Sequence, residues 1–209
     1  MVKKVTILDY SSGNISSIKY VINKLGLKCK VSKKRDEILN SNYLIIPGVG
    51  SYDNCMNKIL KFNLKKVIKE FCKNQDNKLL GICVGMQILS NVGFENKKFP
   101  GLGLIPGKVD ILNKKKINKL PHIGWNNIEI TDKNCPLIKS INNEDHFYFV
   151  HSYKFENSFK NHTVASSNYL GKKFNCIVSN KKNIFGTQFH PERSQNSGIK
   201  LFKNFFFEC

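Results

Sequence analysis

Cys83 sits in Leu79-Leu80-Gly81-Ile82-Cys83-Val84-Gly85-Met86-Gln87, a thiol with a glycine two residues to either side. Leu79, Leu80 and Ile82 form an apolar run too short for a helix and suited to a buried parallel strand, while Met86, Ile88 and Leu89 open a stripe of helical spacing. A nucleophile at such a join is the sulfur version of the G-x-S-x-G elbow, a sharp turn that needs minimal side chains beside it. Amides at the start of the following helix, with its dipole, favour thiolate over thiol. A buried structural cysteine between two turn glycines fits the same five residues equally well. The elbow alone does not decide between them.

A thiol nucleophile needs a base and a group to orient that base. Among His122, His146, His151, His162 and His190, the last has the most informative neighbours, in Thr187-Gln188-Phe189-His190-Pro191-Glu192. If this segment is extended, His190 and Glu192 project to one side and Pro191 stiffens the link. The carboxylate then holds the imidazole and stabilises its charged form. Alone, the pair reads as a buried histidine and a surface carboxylate; with Cys83 it reads as a triad.

The elements that must position these residues follow in order. The pattern predicts a strand over 5–9 and a helix carrying Ile15, Ile18, Val21, Ile22 and Leu25, with Gly26 as its C-terminal cap. It then predicts a strand over 29–32, a short helix over 36–39, a strand over 43–46 ending at Pro47-Gly48-Val49-Gly50, and a helix around Leu64, Val67, Ile68 and Phe71. This alternation implies an α/β fold with a mostly parallel sheet flanked by helices. From about Leu104 the rhythm changes to strands near 109–112, 128–130, 147–150, 164–167, 176–178 and 184–187, and a last helix carries Ile199, Phe202, Phe205 and Phe206. With 209 residues and no linker or repeat, one domain over 1–209 is expected.

Composition narrows the class. Apolar residues make up 41% of the chain, and no run approaches a membrane span. Met1-Val2-Lys3-Lys4 leads into a segment too polar and short for a signal peptide, so a cytoplasmic protein is expected. The net charge of +19 raises nucleic acid as a partner. The lysines are spread through nearly every segment, however, and Lys114-Lys115-Lys116 has no interleaved aromatics to stack on bases. Solvated faces account for the excess better than nucleic-acid binding. Seven cysteines at 29, 55, 72, 83, 135, 176 and 209 form no CxxC pair, so neither a disulfide framework nor a zinc site is indicated.

Gly-Ile-Cys-Val-Gly at 81–85 and His-Pro-Glu at 190–192 resemble the triad motifs of class I glutamine amidotransferases. Asp9-Tyr10 with Gly13-Asn14, the 47–51 segment, Pro121-His122-Ile123-Gly124-Trp125-Asn126, Tyr148 through Tyr153 and Gln188 through Ser194 resemble, more narrowly, the HisH-type glutaminase subunits of imidazole glycerol phosphate synthase. The resemblance implies that Cys83 attacks the carboxamide of L-glutamine, His190 moves the proton to departing ammonia and Glu192 orients His190. It implies an oxyanion hole from Val84 and from Val49 and Gly50, whose glycine-rich setting permits an activity-switching peptide flip. Gly48, Gln87, Glu95, Ser152 and Tyr153 match glutamine-binding positions; Asn14, Pro121, His122, Trp125 and Arg193 match docking or gating positions. The implied partner is a (β/α)8-barrel cyclase of the HisF type in a heterodimer for histidine synthesis, with no cofactor and no metal. Val84 stands where Leu is common, and Arg193 where Lys is common, its fork replacing an ammonium. The motifs do not separate this family from related glutaminases that serve surface-sugar amidotransferases. A non-catalytic scaffold is the alternative of another class, against which the complete triad counts.

Overall fold

The computed structural model describes residues 3–209, so Met1 and Val2 of the N-terminal segment lie outside it. The first half alternates strand and helix: β1 (Val5–Leu8), α1 (Ile15–Lys24), β2 (Cys29–Ser32), α2 (Arg35–Leu39), β3 (Tyr43–Ile46), α3 (Tyr52–Lys61), α4 (Leu64–Phe71), β4 (Lys78–Ile82) and α5 (Val84–Gln87). β1 and β3 are buried at every position, as unalternating apolar runs in a parallel sheet must be. The second half is mainly β: β5 (Val92–Gly93), β6 (Phe99–Pro100), β7 (Gly107–Ile111), β8 (His122–Asn127), β9 (Glu129–Ile130), β10 (His146–His151), β11 (Tyr153–Asn157), β12 (Thr163–Tyr169), β13 (Lys172–Ser179) and β14 (Ile184–Thr187), before α6 (Gln195–Phe207).

The main sheet runs β2-β1-β3-β4-β14-β13-β11-β7-β5-β6, with β12 joined to β13 and β9. Its first five strands in that order are parallel neighbours. Antiparallel pairing carries it onward through β13, β11 and β7. β8 and β10 form a separate antiparallel pair. The decisive placement is that of β14, which lies beside β4 with Thr187 opposite Ile82. Whatever follows these two strands therefore leaves the sheet at one edge, the carboxyl edge where open α/β sheets bind ligands.

Helices pack in two groups, α1 with α6, and α2 and α3 with α4. α6 buries Leu201, Phe202, Phe205 and Phe206, each contributing roughly 1.5–3 kcal/mol through burial. Ile199 from the expected stripe is only partly covered. Tyr43 meets Phe205 and Phe206 edge-on, with centroids 5.5 and 5.3 Å away. No helix among the described residues is long and apolar enough to cross a membrane.

Three departures from the sequence reading have physical reasons. α3 was not expected, although Tyr52, Cys55, Met56 and Ile59 are its buried stripe at helical spacing; a mostly polar remainder hides it. β8 was not expected because Gly124, at φ +134°, and a run of polar and aromatic residues replace the usual β-branched pattern. The helix after Cys83 is one turn, since Gln87 ends it.

Candidate active site

Cys83 has φ 55° and ψ −112°, a strained conformation for a residue with a side chain. Its neighbours hold it there. The Cys83 N–H donates to Thr187 O at 2.7 Å, and its carbonyl accepts from Met86 N at 3.0 Å and Gln87 N at 3.1 Å. The two glycines serve close approach: a Cβ on Gly81 would lie 2.5 Å from Gly85 O, and one on Gly85 would lie 2.0 Å from Ile46 O. Because α5 is so short, its dipole is a smaller aid to a thiolate than a full helix would be. Val84 supplies the first amide of α5, which has no intrahelical partner.

His190 and Glu192 meet by a different route from the extended segment that the sequence implied. Pro191–Arg193 is a 3-10 turn, and His190 Nδ1 lies 2.8 Å from Glu192 Oε1 across it. Both side chains are buried. With Nδ1 committed to the carboxylate, Nε2 is the nitrogen left to exchange a proton, and among the described residues no hydrogen-bond partner within ordinary geometry occupies it. Burial opposes charge on the ring, but the Cys83 sulfur and the Glu192 carboxylate outweigh it, and the His190 pKa is pushed up to about 10. The Cys83 thiol faces Val150 O at 3.8 Å, and Gln188 Nε2 lies 3.9 Å from the sulfur.

Residues 47–50 lie directly against the elbow, since a Cβ on Gly48 would be 2.3 Å from Gly85 N. Side chains from below hold this segment. Tyr10 OH donates to Pro47 O, Ser12 Oγ donates to Val49 O at 2.8 Å, and Cys55 Sγ lies 3.6 Å from the same carbonyl. The Val49 N–H donates to Ser12 Oγ at 3.3 Å. That amide is committed to Ser12. Gly50 follows at φ +91° with open space around it.

Residues 6–209 match the family described as glutamine amidotransferase class-I. The chain belongs to that family. Within it, the chain is 41% identical to the imidazole glycerol phosphate synthase subunit HisH of Pelagibacter ubique over 96% of this chain and 98% of that one. It is 39% identical to the subunit of that name from Methanosarcina acetivorans, over 99% of this chain and all of that one. Among solved structures, PurLQS from Thermotoga maritima superposes with TM-score 0.75 at 17% identity, covering 98% of each chain. A second, titled a glutamine amidotransferase, gives 0.74 at 17% identity over 96% of each chain. These two matches show the shared fold.

In this amidotransferase, the residues expected to hold glutamine divide between the elbow (Gly48 and Gln87), the start of β11 (Ser152 and Tyr153) and the first turn of α3, against which Glu95 sits. Gln87 is buried and its Nε2 donates to Tyr153 O and to Gln188 Oε1, both at 3.1 Å. Glu95 accepts from Tyr52 N, the first amide of α3, at 2.7 Å, and burial pushes its carboxyl pKa up. Ser152 O accepts from Leu112 N at 2.8 Å. Burial and then the Glu95 carboxylate raise the Tyr153 phenol. The sequence reading assigned no role to Gln188 or His151, both of which reach this group; only their places inside the quoted motifs marked them.

The expected docking residues divide. Trp125 is 47% exposed, meets Tyr148 edge-on at 6.0 Å, and the Arg193 guanidinium lies 5.4 Å from the Tyr148 ring centre. Pro121 is exposed and Asn14 half-buried. His122 is the exception at 3% exposure, stacked between Phe149 and Tyr169 at 4.8 and 4.2 Å. It lies beneath the face that Trp125 occupies, inside the molecule and not on its surface.

Proposed function

We propose that this chain is the glutaminase subunit of an imidazole glycerol phosphate synthase, one domain spanning 1–209 that hydrolyses L-glutamine and passes ammonia to a synthase partner. The observation that carries the chemistry is the adjacency of β4 and β14, which delivers Cys83 and the His190–Glu192 pair to one sheet edge. Near full-length similarity to HisH subunits supports the pathway. The partner is a (β/α)8-barrel cyclase of the HisF type in a heterodimer, and the exposed Trp125 with Tyr148 and Arg193 suits an interface anchor. Seven unpaired thiols suit a reducing cytoplasm.

The thiolate of Cys83 attacks the carboxamide carbon, forming a carbon–sulfur bond and a tetrahedral oxyanion. His190 Nε2 gives its proton to the departing nitrogen, the carbon–nitrogen bond breaks, and ammonia leaves a glutamyl thioester. His190 then takes a proton from water, whose oxygen displaces sulfur to release glutamate. The Val84 N–H is one donor to the oxyanion. The second is the Val49 N–H, which donates to Ser12 instead and must turn by a flip of the Gly48–Val49 peptide. A missing oxyanion donor costs about 10²–10³ in kcat. The chain alone is therefore a slow glutaminase, and partner binding with its ribonucleotide completes the hole. Ammonia in water is mostly protonated and non-nucleophilic, so coupling release to a docked synthase preserves the reactive form.

The test is to copurify the chain with its barrel and measure glutamate release with and without the imidazole-precursor ribonucleotide. Release should rise with the ribonucleotide, and Cys83→Ala should abolish it while the two chains still copurify. Full turnover by Cys83→Ala would refute the assignment of the nucleophile.

A further inference from the structure

Two buried histidines behind the triad take no part in the reaction just described. His151 is 6% exposed and His122 is 3% exposed. His151 Nδ1 lies 2.7 Å from Tyr153 O. A carbonyl only accepts, so Nδ1 carries the hydrogen. His122 Nδ1 lies 3.2 Å from His151 Nε2. A neutral His151 with its hydrogen on Nδ1 accepts there, so His122 also carries its hydrogen on Nδ1. Asn126 Nδ2, which donates to Asn168 O at 2.8 Å, faces His122 Nε2 at 3.5 Å. Every hydrogen bond in the row thus runs in one direction. Burial holds both rings neutral, with His122 lowered to about 4 and His151 to about 3.

The row does not stop at Tyr153. The same carbonyl accepts from Gln87 Nε2, whose other hydrogen goes to Gln188 Oε1, and Gln188 Nε2 faces the Cys83 sulfur at 3.9 Å. Gln87 and Gln188 are both buried. An amide can turn over and exchange its oxygen for its nitrogen, so something must fix which end of each glutamine faces which neighbour. A carbonyl only accepts, so Tyr153 O takes the NH2 end of Gln87, and His151 on its other lone pair holds that oxygen in place; Gln188 must then present oxygen to Gln87 and nitrogen to sulfur.

We infer that His151, held in its tautomer by His122, is a positioning residue that fixes the Tyr153 carbonyl and the Gln87–Gln188 pair so that an N–H is aimed at the Cys83 sulfur. The inference deepens the glutaminase reading and rests on it for its kinetic consequence. Its structural content, an N–H donor aimed at a sulfur, is independent of substrate.

The test compares His151→Asn with His151→Gln. The Asn amide nitrogen falls near the Nδ1 position and keeps a donor for Tyr153 O, whereas Gln reaches past that position and loses it; the two changes disturb packing similarly. In the complex with the barrel, His151→Gln should lower kcat/KM for glutamine at least about tenfold, with a rise in KM because Gln87 and Tyr153 are among the residues proposed to hold glutamine. His151→Asn should stay within about threefold of the unmodified complex. Iodoacetamide alkylation of the Cys83 peptide at neutral pH, followed by mass spectrometry, should slow in His151→Gln and hold in His151→Asn. Equal losses in both variants, or unchanged alkylation in His151→Gln, overturn the inference. If His151→Gln does not fold, nitrogen NMR of the unmodified chain decides instead: an Nδ1–H tautomer at both rings is expected, and an Nε2–H tautomer at His151 overturns it. A complex that releases no glutamate would sink the glutaminase reading, while alkylation and tautomer results would still judge the positioning role.

Discussion

Glu192 shows how much one side chain sets in this site. Its Oε1 holds His190 at 2.8 Å, and burial of the ring is outweighed by Cys83 and Glu192 so that His190 rises to about 10. Removing one negative partner weakens the ring's hold on its proton, and an imidazole less often charged stabilises a thiolate less. Glu192→Gln should therefore lower kcat at least about tenfold. Linkage adds a sign: stability from a raised imidazole is complete below its unfolded value of about 6.5. It is lost as pH rises through about 10. The urea midpoint of the unmodified chain should fall across that window more than that of Glu192→Gln. Parallel curves would mean that the carboxylate is not sensed by the ring.

Among elements, the elbow and the 47–50 segment work as one unit. A Cβ at Gly85 would stand 2.0 Å from Ile46 O, a backbone atom of β3 that cannot move without the sheet. Gly85→Ala should cost about 3 kcal/mol or more, read as a loss in urea midpoint. Ser12 is the opposite case, because it holds the Val49 N–H and does not carry the elbow. Ser12→Ala should raise glutamate release by the chain alone, by up to about 10²-fold if the freed amide turns to the oxyanion. No gain in basal release would show that other contacts hold the segment, with Tyr10 and Cys55 as the groups to change next.

On the scale of the whole molecule, the proposed catalytic residues and the proposed docking residues occupy adjoining regions linked by β10. Val150 O of that strand faces the Cys83 thiol, while Tyr148, two residues earlier, carries Trp125 and Arg193 on the outer face. Trp125→Ala should weaken association with the barrel by about 2 kcal/mol, roughly thirtyfold, in isothermal titration. At 47% exposure it should change folding stability by no more than about 0.5 kcal/mol. A large fall in stability with unchanged association would return the residue to a packing role.

The sequence by itself determined the strand–helix alternation of the first half, the elbow glycines and the residue types of the triad, because periodicity and local steric need are written in neighbouring residues. Tertiary structure alone decided that β14 returns to lie beside β4, since strand pairing between segments about a hundred residues apart depends on the topology of the whole sheet. It also turned the His190–Glu192 pair on a 3-10 bend and sent His122 inward. The row from Asn126 to the Cys83 sulfur was illegible for the same reason: each of its hydrogen bonds is local in space, and most of its members come from different elements.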